Sequence, residues 1–151
     1  MQRWNIPRKY SITLVAIVAI FMIVATVNIT YCENSARKVS RKVYTEGCGG
    51  CHMPYPPQLL PARSWERILD GLADHFGTPV ELTASQRDDI RKHLVAGAGT
   101  GKMKKENSLR ITETGWFKYE HNELRNRNSS PNMADCQSCH PDAIKGKFED
   151  D

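Results

Sequence analysis

Four of the five cysteines fall into two pairs of one spacing, and each pair is followed at once by histidine: Cys48-Gly49-Gly50-Cys51-His52 and Cys136-Gln137-Ser138-Cys139-His140. This C-x-x-C-H pattern is the attachment site of c-type haem. Two thiols three positions apart lie on one helical turn and reach the two vinyl groups along one porphyrin edge as thioethers. The adjacent imidazole then swings beneath the ring to bind iron as the proximal ligand. Two disulfides, a four-cysteine zinc site and a thioredoxin-like redox motif are the competing readings. Zinc fits poorly, because 84 residues lie between Cys51 and Cys136. None of the three explains a histidine directly after both pairs. The motifs therefore predict two covalently bound haems, held by Cys48, Cys51 and His52 and by Cys136, Cys139 and His140.

The address agrees with that chemistry, since haem is attached to protein outside the cytoplasm. Arg3, Arg8 and Lys9 form a basic start, and Ile12 to Val27 continue without a charge. That order of basic and apolar regions sends a chain to the membrane. The strict apolar run is short of the roughly 20 residues a spanning helix needs, and Asn28 to Tyr31 bring it near that length. Residues 1–36 thus read as either a signal peptide or an N-terminal membrane anchor. Asn34 is a poor third position for a small-x-small cleavage site, although Ser35 and Ala36 are small. Lipidation of Cys32 is disfavoured by the bulk of Tyr31. In both cases the rest of the chain faces the periplasm.

Three of the 21 cationic residues (Arg3, Arg8, Lys9) and one of the 17 acidic ones (Glu33) precede Arg37, which leaves an excess of only two positive charges beyond it. Nothing there calls for nucleic acid as a partner. The modest apolar content beyond Ala36 makes a small core, which a large apolar ligand would enlarge.

The pattern is mainly α. Ser35 to Glu46 reads as a short helix or lead-in to the first haem site, with Val43 and Tyr44 against that haem. Met53-Pro54-Tyr55-Pro56-Pro57 cannot be helical, because proline lacks the N–H donor and fixes φ. The run suits one wall of a haem pocket, and its Pro54–Pro57 carbonyls are candidate acceptors for a proximal imidazole. Ser64 reads as an N-cap for a helix through Ile68, Leu69 and Leu72 to His75 and Phe76, closed by Gly77. Thr83 and Gln86 form a capping-box pair opening a third helix, with Ile90, Leu94 and Val95 inward and Arg87, Asp88, Arg91 and Lys92 outward. Gly97 to Lys105 reads as a mobile loop and a boundary between a first haem lobe, 37–101, and a second, 102–151. Ile111 to Leu124 reads as a short helix, and Arg125 to Pro131 as a polar loop. Pro141 to Lys147 reads as a terminal helix before an acidic tail. The haem motifs are the sole internal repeat.

The far side of each iron separates a carrier from a catalyst. His75 stands at a helix end beside Phe76, and His121 lies among Trp116, Phe117 and Tyr119, surroundings that suit a haem wall. His93 has charged neighbours. Met103 lies about where small monohaem cytochromes place an axial methionine, but Lys102, Lys104 and Lys105 around it favour solvent. Two neutral imidazoles on each iron give low-potential, low-spin haems with no open position, whereas a methionine raises the potential. An electron carrier is the favoured reading and no catalytic residue is assigned. The alternatives are a small haem enzyme (a peroxidase or a reductase of oxygen or nitrogen oxides) with one five-coordinate iron, and a tethered haem sensor, for which no signalling domain is evident.

Three stretches, Cys48 to Gly77, Arg110 to Leu124 and Cys136 to Phe148, resemble the dihaem cytochrome c family of bacteria. The resemblance implies a class I cytochrome c-like N-terminal haem lobe and a smaller C-terminal one, with both haems bis-histidine. Carried over by position, His52 and His140 would be proximal and His75 and His121 distal. Chain proximity alone pairs His75 with the first haem and His121 with the second. It also implies an electron carrier whose partners are a small monohaem cytochrome and often a membrane cytochrome b. The leader departs from the family pattern in being unusually hydrophobic, so tethering at the inner membrane competes with free diffusion.

Overall fold

The computed structural model describes residues 8–125 and 132–148. The expected polar loop at 125–131 and the acidic tail lie largely outside them. Contacts divide the chain into two compact units, Met1–Lys38 and Val39–Asp151. Among the described residues there is no strand, only an isolated bridge between His75 and Thr78, so the mainly α class holds.

Helix α1 runs Arg8–Cys48. The leader and the expected short helix at Ser35 to Glu46 are thus one element. No glycine or proline interrupts residues 8–46, and the glycines at 47, 49 and 50 end it. In the first unit its apolar side chains, among them Leu14, Ile17, Ile20 and Phe21, are exposed. The segment is long and apolar enough to cross a membrane, a test that a signal sequence also passes. Its polar side chains bond back to their own helix, Thr26 Oγ1 to Ile23 O at 2.8 Å and Asn28 Nδ2 to Val24 O at 2.7 Å, which leaves few polar groups for an apolar medium to desolvate.

The second unit is built on one cluster of buried side chains: Tyr44 from the end of α1, Leu59 and Leu60, then Trp65, Leu69 and Leu72, Ile90 and Leu94, and Ile111 and Phe117. Residues from both expected lobes share that cluster. Helix α2, Ala62–Asp70, packs on α3, Ala84–Ala96. Trp65 and Leu69 on α2, and Ile90 and Leu94 on α3, obey the i, i+4 rule for one helical face. The Arg91–Asp70 ion pair at 2.9 Å links the helices near the surface, where such a pair contributes at most about 1 kcal/mol.

The capping box at α3 is present in full, with Gln86 N donating to Thr83 Oγ1 at 3.2 Å and Thr83 N to Gln86 Oε1 at 2.9 Å. Ile90 and Leu94 point inward as expected, while Val95 and Arg87 are half-buried.

Helix α2 differs from expectation at both ends. Pro61 is its N-cap, because the fixed φ of proline presets the turn and its carbonyl accepts from Ser64 N and Trp65 N. Ser64 therefore lies inside the helix, fully buried. The α-helix stops at Gly71, and a 3-10 turn, Leu72–Asp74, delivers His75. The terminal segment is likewise shorter than expected, a 3-10 turn at Ala143–Lys145.

The glycine-rich stretch is tied to the first half of the unit. Gly99 N donates to Leu60 O at 2.9 Å, and a Cβ at Gly99 would stand 2.5 Å from Gln58 O. The lysines after it form a 3-10 helix, Gly101–Lys105. From α2, Arg63 donates to Glu106 O and Arg67 to Asn107 O at 3.2 Å, so the backbone just past those lysines is tied to the helix. Ile111 to Leu124 is broken into a 3-10 turn, Ile111–Glu113, then α4, Gly115–Glu120, and α5, Asn122–Arg125. The break comes at Thr114, fully buried, whose hydroxyl caps α4 by accepting from Phe117 N.

Candidate haem sites

Both cysteine pairs sit on tight turns. Cys48 is the last residue of α1, and Cys51 and His52 lie in the turn beyond it. At the second motif a 3-10 turn, Cys136–Ser138, continues with His140 N donating to Cys136 O at 2.8 Å, which folds the histidine back beside its own cysteines. Each motif opens on a cavity. The first, of about 520 Å³, is walled by Tyr44, Cys48, Cys51, His52, Trp65 and His75 among others. The second, of about 390 Å³, has His121, Cys136, Cys139, His140, Trp116 and Phe148 in its wall. The two cavities adjoin, since Ile111, Met133 and Cys136 belong to both walls.

Across the first cavity the His52 and His75 ring centroids are 6.2 Å apart with planes at 23°. His121 and His140 are also 6.2 Å apart, with planes at 90°. An imidazole nitrogen bonds a transition metal at about 2.0–2.1 Å, so two imidazoles on opposite sides of one ion have centroids roughly 6.3 Å apart. Both pairs have that spacing. His93 instead lies against Tyr44, 5.2 Å between centroids, and neither His93 nor Met103 lines either of these two cavities.

Each histidine is held by neighbours. His52 Nδ1 is 2.7 Å from Met53 O, and Tyr55 stacks on its ring at 4.9 Å. The partner is the carbonyl of Met53, not those of Pro54–Pro57. Carbonyls of that run are engaged elsewhere: Tyr44 Oη donates to Tyr55 O at 2.7 Å, Leu59 N to Pro56 O at 3.1 Å, and Trp65 Nε1 to Pro57 O at 2.7 Å. His75 is followed by Phe76 and Gly77, both at positive φ (54° and 96°), a conformation unusual for a bulky residue. The Arg110 guanidinium caps the Phe76 ring at 4.3 Å. Burial first, and His52 second, lower the pKa of His75 and keep it in the neutral form that binds metal.

His121 closes α4 and stacks on Phe117 at 4.0 Å and 15°, with Nδ1 3.1 Å from Phe117 O. Its spacing from Phe117, four residues on a helix, is a signal the sequence carries. Met133 and Arg110 come to the first cavity by long-range folding that no local pattern announces, whereas Met53 and Tyr55 belong to the proline-rich run beside His52. Tyr55 Oη also reaches Ala134 O at 2.9 Å, and Gln58 Nε2 reaches Gly146 O at 3.2 Å, which fasten the second motif to the first half of the unit.

The residues fit haem better than the rival readings. Trp116 Nε1 is buried without a hydrogen-bond partner in a residue of the second cavity's wall, a donor that would suit an acceptor on a bound group. Burial pushes the Cys48 thiol up to about 11 and raises Cys136 as well, the reverse of the depressed thiol that a CxxC redox centre uses. Among the described residues no group of three or more His, Cys, Asp or Glu is gathered as a zinc site would need.

The profile of dihaem cytochrome c matches residues 44–148. A crystal structure of dihaem cytochrome c purified from Rhodobacter sphaeroides is 36% identical, with a TM-score of 0.58 over 71% of this chain and 96% of that one. A second structure from the same organism is 35% identical, with a TM-score of 0.60 over 71% and 95%. A dihaem c-type cytochrome from Shewanella baltica is 33% identical, with a TM-score of 0.59 over 73% and 88%. No curated protein matches the chain. On the profile match and the structural likeness together, the chain belongs to the dihaem cytochrome c family, with two covalently bound c-type haems as its cofactors and electron transfer as its task.

Proposed function

We propose that the chain is a bis-histidine electron carrier. Cys48 and Cys51 attach the first haem, with His52 and His75 as its axial ligands. Cys136 and Cys139 attach the second, with His140 and His121. The observation that carries this reading is the pair of 6.2 Å imidazole separations, one at each attachment motif. A haem supplies one-electron chemistry at its iron. The chain's contribution is to fill both axial positions, exclude substrate from them, and hold the ligands still. Met53 O and Phe117 O accept from the outward imidazole nitrogens, which orients each ring and raises its basicity. The shared wall of Ile111, Met133 and Cys136 gives a short route between the two sites.

As a bacterial c-type cytochrome the chain is exported. The finer reading is a periplasmic protein, released after cleavage of residues 1–36 or tethered to the inner membrane by them. Residues 37–101 and 102–151 form its two haem lobes. Its acceptor is a small monohaem cytochrome and its donor a membrane cytochrome b.

Carbon monoxide added to the dithionite-reduced holoprotein tests the function. An unchanged Soret band is expected. Rapid binding at one haem would establish an open iron and transfer the reading to a small haem enzyme acting on peroxide, oxygen or a nitrogen oxide.

A further inference from the structure

The two histidine pairs share one separation and differ fourfold in the angle between their planes, 23° against 90°. We infer that the chain gives its haems different electronic surroundings by aligning the imidazoles at one and crossing them at the other, and that Phe117 is the positioning residue that keeps the second pair crossed. The inference rests on the ligand set proposed above and adds to it.

The surroundings of His121 leave its ring little choice of orientation. Its face lies on Phe117 at 4.0 Å and 15°, and its Nδ1 is 3.1 Å from the Phe117 carbonyl oxygen. Turning the ring about the axis towards His140 would lift it from Phe117 and strain that hydrogen bond. Phe117 cannot follow, because it is 3% exposed and packed in the core. Its own position is fixed by the Thr114 cap on its N–H. His140 meets Phe148 edge-on, 5.7 Å between centroids at 75°. In the first pair, His52 is set by Tyr55 and Met53 O, and His75 meets Phe76 edge-on at 62°.

The consequence comes from orbital symmetry. In low-spin ferric haem the unpaired electron occupies the two iron orbitals that overlap with imidazole π electrons. Each imidazole raises the one perpendicular to its own plane. Aligned planes raise the same orbital, so their effects add; crossed planes raise both equally, so the splitting cancels. The combined splitting varies as the cosine of the angle between planes. It keeps about nine-tenths of its maximum at the first pair and vanishes at the second. The first haem should therefore show a three-line rhombic signal in electron paramagnetic resonance. The second should show a single, strongly anisotropic feature at lower field.

The test is the frozen-solution spectrum of the ferric and half-reduced holoprotein, for wild type and for Phe117→Leu and Phe117→Tyr. Wild type is expected to give both signals in equal spin. Phe117→Leu, which removes the stacking face at similar volume, should convert the low-field feature towards a rhombic signal, with both haems attached and low-spin. Phe117→Tyr keeps the face and should restore the wild-type pattern. Two low-spin haems with the same rhombic signal in wild type would overturn the inference and leave the ligand set standing. An unaltered low-field feature in Phe117→Leu would overturn the role of Phe117. A high-spin signal in wild type would instead strike at the ligand set itself.

Discussion

Replacing His121 with alanine isolates the role of one imidazole. His121 is half-buried at the end of α4, and besides facing His140 its ring stacks on Phe117 and makes the Nδ1 hydrogen bond. Losing the stack removes about 0.5–1.5 kcal/mol of aromatic contact, too little to unfold a domain of ordinary stability. Attachment at Cys136 and Cys139 does not involve His121, so the haem count per chain stays at two. What changes is that one of the four axial positions empties. The space left by the imidazole adjoins a cavity of about 390 Å³, ample for a diatomic ligand. The reduced variant should bind one carbon monoxide per chain, and half of the Soret absorbance should shift while the other half stays put. The ferric variant should show a high-spin band of matching weight. Titration with carbon monoxide, set beside a pyridine haemochrome count, measures both quantities. A variant that keeps two low-spin irons and binds no carbon monoxide would refute the assignment of His121, and with it the use of centroid separation as a sign of ligation.

Trp65→Phe deletes the Nε1 donor to Pro57 O at 2.7 Å within the core, and denaturant titration should register a loss of about 1 kcal/mol. Thr83→Ala removes the capping box of α3 and should cost about 1 kcal/mol in the same assay, with Soret and high-spin bands unchanged. Burial, with a smaller effect from Arg41, lowers the pKa of His93 below its ordinary 6.5. Its neutral form then favours the folded state: that stability is complete above about pH 6.5 and declines as the pH falls through the folded value. Stability measured between pH 5 and pH 8 should therefore depend on pH less in His93→Gln than in wild type, and the visible spectrum of that variant should match wild type.

Features that are local in sequence are legible without the fold. The attachment motifs are five residues long, and Thr83 with Gln86 is a cap fixed within one turn. Ser64 misleads as a helix start because it has the right side chain for a cap, while Pro61 has the right backbone three residues earlier. Backbone preorganisation prevails, and Ser64 is drawn into the core instead. The acceptor for His52 falls one residue before the proline run for a related reason. Carbonyls of the run are committed to Tyr44, Leu59 and Trp65, partners that only the folded chain brings near. The angles between imidazole planes depend on neighbours such as Tyr55, whose contact with Ala134 spans 79 positions, and no pattern in the sequence encodes them.

The way the ligands are held bears on how fast an electron can move. His75 leaves a 3-10 turn and His121 ends an α-helix, so both rings hang from backbone that is already hydrogen-bonded. His52 and His121 are further fixed by carbonyl acceptors at 2.7 and 3.1 Å. If these rings are the axial ligands proposed above, they would have little room to shift when iron changes charge, which would keep the reorganisation opposing transfer small. The same rigidity has a structural origin: interiors are close-packed, and a unit with two apolar-walled cavities of this size is completed by the groups that fill them. Haem therefore serves this chain both as redox group and as core. The side chains that line its cavities, Trp65, Leu69 and Leu72 at the first and Phe117 at the second, also pack in the core. A mutation that loosens one of those residues should thus disturb the proposed ligand geometry before it disturbs the rest of the fold, because the same side chains line the cavities and pack the core.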